Sequence, residues 1–82
     1  MTVDAIKATL LPEGKTFFDM GLMYAAGREC EYDLVAAHCW FNIAAARGDR
    51  EAAMRRSELA QLMSMEEVST AQRAAREWLN LH

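Results

Sequence analysis

A single proline and four glycines in 82 residues leave little material for a β fold with many chain reversals. Two cysteines, Cys30 and Cys39, are fewer than a disulfide-stapled secreted domain uses; they read as reduced thiols in a cytoplasmic protein. No apolar run approaches the roughly 20 residues that cross a bilayer. Met1-Thr2-Val3-Asp4 has neither the basic start nor the unbroken apolar stretch of a signal peptide. Cationic excess is missing too: nine Lys and Arg stand against twelve Asp and Glu, with net charge −3 and a sequence pI near 5.3. Generic binding to nucleic acid or to an anionic membrane is disfavoured by that balance.

What is present favours helix. Ala, Met, Leu, Glu and Arg dominate, all good helix formers. Hydrophobic residues make up 52% of the chain, enough for a packed core and too much for a disordered tail. The length allows one small domain with a thin core, burying little more than about 60% of its unfolded surface.

Helix signals divide the chain. Val3, Ile6 and Leu10 share the spacing of one helix face in residues 1–14, an apolar arm or short helix that ends at Pro12-Glu13-Gly14. A first main helix is expected from Glu13 to Ala26, with Pro12 in a first-turn position and Gly27 as a left-handed stop. It carries two stripes, one of Phe17, Met20, Gly21 and Tyr24, the other of Phe18, Leu22 and Ala25. Asp33 is the expected cap of a helix from Leu34 to Arg47 that stops at Gly48. Its stripe is Ala37, Trp40, Phe41, Ala44, Ala45 and Gly48, and its two rings need small residues opposite. Gly21 supplies one, so Trp40 is expected against Gly21 and Tyr24. Asp49 caps a third helix to about Met63. Ser64 with Glu67 forms a capping box that opens a fourth, to about Asn80, with Met65, Val68, Ala71, Gln72, Ala75, Trp78 and Leu79 inward. Short connections make the result all-α: two antiparallel hairpins stacked side by side.

Chemistry is thinly supplied. Cys30, His38, Cys39 and His82 are the only soft metal ligands, and adjacent helical residues such as His38 and Cys39 diverge by about 100°. Cys39 reads as core filler and His38 as a helix-edge residue. Glu66 and Glu67 read as first-turn acids that complement a helix dipole. Arg47, Arg50, Arg55 and Arg56 form a basic cluster diluted by Asp49 and Glu51, with Glu51 and Arg55 spaced for an i,i+4 pair. No catalytic residue, metal site or cofactor is expected.

Gly21-x-x-Tyr24-x-x-Gly27, then Asp33, then Trp40-Phe41-x-x-Ala44-Ala45-x-x-Gly48-x-x-x-Ala52 resembles one Sel-one-like repeat, a longer-looped relative of the tetratricopeptide repeat. The match covers Thr16 to Ala52. Glu29 stands where that family tends to have a second glycine, and Cys30 where it tends to have valine. No second Gly-x-x-Tyr-x-x-Gly follows, so the Ser64 helix reads as a terminal cap with Arg73, Arg76 and Glu77 on its wet face. The resemblance implies a minimal α/α solenoid at residues 15–82 and a role as an adaptor or regulator that holds a partner protein or peptide. In such a stack the first helix of each hairpin lines the inner groove. That places Phe18, Leu22, Ala25 and Met54 as apolar contacts and Lys15, Glu58 and Gln61 as polar rim. Residues 1–14 are expected to cover an exposed flank in the same chain or to join a second copy. The alternative is a small helical DNA-binding regulator using Arg47, Arg50, Arg55 and Arg56.

Overall fold

Every helix begins at a side chain that caps it. The computed structural model describes residues 15–82 and places them in four helices: α1 (Phe17–Ala26), α2 (Leu34–Ala46), α3 (Arg50–Ala60) and α4 (Met65–Leu81). Among the described residues there is no strand, so the all-α class holds. Asp33 accepts from the Ala36 N–H and Asp49 from the Ala52 N–H, each at 3.0 Å. Ser64 and Glu67 form the expected capping box, with bonds of 3.0 and 2.8 Å. Each such cap stabilises its helix by about 1 kcal/mol.

The first helix is shorter than expected. Thr16 Oγ1 accepts from the Asp19 N–H at 3.0 Å, and the Asp19 carboxylate accepts from the Thr16 N–H at 2.9 Å. This reciprocal box starts α1 at Phe17, not Glu13, and leaves Lys15 before the helix. Pro12 and the arm Val3 to Leu11 lie outside the described residues. The third helix also ends early, at Ala60 rather than Met63. Its last turn tightens into i,i+3 bonds from Gln61, Leu62 and Met63 to Glu58, Leu59 and Ala60, which bring the chain to the Ser64 cap.

The α1–α2 loop takes two left-handed residues. Gly27 has φ 67°, and a Cβ there would stand 3.2 Å from Tyr32 Cβ. Glu29 has φ 63°, a conformation that glycine adopts without strain and glutamate does not. The loop is then tied back by the Asp33 N–H donating to the Tyr24 carbonyl at 3.0 Å.

Helix α2 is the axis of the fold, and α1, α3 and α4 all pack on it. Ala36, Ala37, His38, Cys39, Trp40, Phe41, Ile43 and Ala44 are buried. Ala36, Cys39, Trp40 and Ile43 join Met20 of α1 and Ala71, Ala74, Ala75 and Trp78 of α4. Ala37, Phe41 and Ala44 join Ala52 of α3, with Phe18, Leu22, Ala25 and Leu59 packed around them. The expected single stripe is therefore split, with its two rings on different sides. Ala45 is half-buried and Gly48 exposed at φ 100°.

That split corrects the expected partner of Gly21. A Cβ on Gly21 would meet Phe41 first, with Cδ1 at 2.5 Å and Cζ at 2.9 Å. Trp40 instead stacks on Phe17 at 5.9 Å and meets Trp78 edge-on at 6.1 Å, in a cluster that Tyr24 also touches. The fourth helix differs in the same sense. Ala74 is buried where it was not expected to be, while Met65 is 90% exposed.

Candidate interaction surface

Phe18, Leu22 and Ala25 stand one turn apart on α1 and lean on Phe41 and Ala52. Phe18 and Phe41 lie 5.5 Å apart with tilted rings. The face expected to line the inner groove is thus partly covered by α2, because Phe41 reaches across the close approach at Gly21. All three residues remain half-buried. Leu59 joins them from α3, seven positions after Ala52 and so on the same side of that helix. Leu59 was not among the expected groove residues, although it keeps the helical spacing from Ala52. Met54 is 65% exposed and lies about 200° round α3 from the buried Ala52, so it does not share that floor. Glu58, Gln61 and Lys15 are exposed.

The arginine cluster is dispersed by its partners. Arg47 lies over the Phe17 and Trp78 rings at 5.9 and 5.8 Å. Arg56 donates to Asn42 Oδ1 at 2.7 Å, and Arg55 pairs with Glu51 at 3.7 Å. Arg50, Arg73 and Arg76 are exposed.

The thiols are held in their neutral form. Burial pushes Cys39 up to about 12. Burial, then Asp33 and Glu29, raise Cys30 above its ordinary value. A raised thiol has less of the thiolate that nucleophilic attack and metal ligation need. Among the described residues, no three His, Cys, Asp or Glu side chains are grouped to hold a metal ion, and no helix is long and apolar enough to cross a membrane.

His38 is not at a helix edge; it is 2% exposed, and its Nδ1 has no hydrogen-bond partner. Burial, then the charge of Arg56, hold it below its ordinary value of 6.5. The unfolded chain then binds a proton that the folded one refuses. The stabilisation is whole above the unfolded value and is lost as pH falls from there toward the folded one, at up to about 1.4 kcal/mol per pH unit. Urea midpoints should therefore fall between about pH 7.5 and 5.5, ahead of most carboxylate titration. The slope should be shallower in His38→Gln, whatever its offset. Parallel slopes in the two proteins would show that His38 does not carry the effect.

The fold and surface define a small helical domain without a visible reaction centre among its described residues. No protein-family model matches the chain, and neither does any curated protein or solved structure.

Proposed function

We propose that the protein is a protein–protein interaction module: one Sel-one-like repeat followed by a capping helix, acting as an adaptor or regulator. The observation that carries this reading is the half-buried face of Phe18, Leu22 and Ala25, held rigid from behind by Phe41 and extended by Leu59. A preformed apolar strip suits an amphipathic helix or an extended peptide. The left-handed conformation of Glu29, at the position where the repeat family tends to have glycine, supports the resemblance independently. Thiols held neutral favour contact over thiol catalysis at the described residues.

DNA binding is the weaker reading. Three of the four clustered arginines are occupied by rings, a glutamate or an asparagine, and a net charge of −3 opposes a polyanion.

Ala25→Arg tests the module, because it adds bulk and charge to the half-buried strip. The variant should keep a folded helical circular dichroism spectrum, with a lower melting midpoint, and lose a defined partner captured by the wild type, with affinity down at least tenfold, a change of about 1.4 kcal/mol. Full capture by the folded variant would place the contact elsewhere, and a salt-dependent gel shift with duplex DNA would favour the other reading.

A further inference from the structure

His38 lies at the seam between α2 and α3. It is 2% exposed, and among the described residues nothing bonds its Nδ1. Asn42 stands one turn further along the same face of α2. Arg56 of α3 donates to Asn42 Oδ1 at 2.7 Å, and its charge acts on His38 as well. The residues that α1 and α4 bury are uncharged: Met20, Gly21, Ala71, Ala74, Ala75 and Trp78. Tyr24 of α1 and Cys39 of α2 keep their protons through neutral pH, since burial raises both. Asp33, at the start of α2, accepts from the Ala36 N–H. A cation on His38 would therefore be buried beside a like charge, with the Asn42 oxygen one turn away already engaged.

Of the four helices, α3 is the least anchored. Ala52 is its one buried residue, and Leu59 is half-buried. Its side-chain tie to α2 is the Arg56–Asn42 bond. By contrast, α4 buries three alanines and Trp78, and α1 sets Phe17 against both Trp40 and Trp78. Those ring contacts do not involve α3. Moving α3 off α2 would hydrate His38, withdraw Arg56 and release the Asn42 oxygen together. It would give up one buried methyl, part of a leucine and one hydrogen bond. Global unfolding relieves the same charge but also loses the ring cluster, so the smaller opening costs less.

We propose that His38 is an acid-sensitive latch, whose protonation favours a state in which α3 has left α2 while the Phe17–Trp40–Trp78 cluster keeps α1, α2 and α4 together. In that state Phe41 has lost Ala52, and the apolar strip has lost Leu59. Weaker capture of a partner in mild acid is a further consequence, and it alone rests on the interaction reading above.

Amide hydrogen exchange of the full chain tests the latch without a partner, once rates are corrected for the intrinsic effect of pH. An 11-residue helix without tertiary support is marginal in water, so a released α3 exchanges freely. Protection from Met54 to Ala60 should be lower than at Cys39 and Trp40 already at pH 7.5. By pH 5.5 it should fall further, by up to about tenfold, as His38 takes its proton in the open state. The amides of Cys39 and Trp40 exchange through global unfolding and should stay the better protected throughout. His38→Gln should flatten the pH dependence in α3. Arg56→Gln, which removes the like charge and can still bond Asn42, should shrink it, and this variant carries the test if His38→Gln does not fold. Equal protection in α3 and at Trp40 would overturn the proposal, because α3 would then open only with the whole domain. So would α3 protection that ignores pH, or a pH dependence that survives both substitutions unchanged.

Discussion

Gly21→Leu should leave the protein unfolded in buffer at 25 °C, and Gly21→Ala should already lower its urea midpoint. Alanine in mid-helix would ordinarily stabilise by about 1 kcal/mol relative to glycine. Here a Cβ would stand 2.5 Å from Phe41 Cδ1, closer than packed carbons approach. Phe41 is 1% exposed and packed with Ala37, Ala44 and Ala52, so its ring can move only by displacing neighbours. Overpacking of this kind costs about 1–3 kcal/mol for small additions. A leucine adds three more carbons, against a total stability of about 3–5 kcal/mol for a domain of this size. The far-ultraviolet circular dichroism of the leucine variant should therefore be that of a largely unfolded chain. An unchanged midpoint for Gly21→Ala would mean that α1 and α2 do not cross at this glycine.

Trp40→Ala should destabilise by about 3–5 kcal/mol, the range for emptying a buried indole site. Trp40 is fully buried and joins three helices: Phe17 of α1 stacks on it, and Trp78 of α4 meets its edge. Its Nε1 has no hydrogen-bond partner, so the loss is one of packing and apolar burial. Trp40→Phe keeps a ring against Phe17 and should cost much less. Equilibrium unfolding followed by the remaining tryptophan, Trp78, measures the phenylalanine variant, and the alanine variant should show the circular dichroism of a largely unfolded chain in buffer. A cost below about 1 kcal/mol for the alanine would show that the cluster repacks, as a poorly specified core does.

Helix ends were legible because the signals are local. Asp33, Asp49, Ser64 with Glu67, and Gly27 act through bonds or torsions within a few residues, and each does so in the structure. Thr16 obeys the same rule, and its box with Asp19 could have been read in place of the start at Glu13. The left-handed loop was half legible. Gly27 was read as a left-handed stop, but the sequence reading did not foresee that Glu29 would take φ 63°.

The candidate surface was less legible. Phe18, Leu22 and Ala25 were correctly grouped by spacing, since spacing sets which residues share a helix face. Whether α2 covers that face depends on where Phe41 points, and nothing local decides it.

The sequence by itself determined four helices, their caps and the close approach at Gly21, because propensity, capping and periodicity act within one or two turns. Only the tertiary structure decided which neighbour each side of α2 meets. That helix is apolar nearly all round, so no polar face orients it, and hydrophobic burial has no direction of its own. The competition among α1, α3 and α4 for its surface sent Trp40 toward Trp78 and Phe41 toward Ala52. It buried His38 and left Met65 in water at the edge of a cleft.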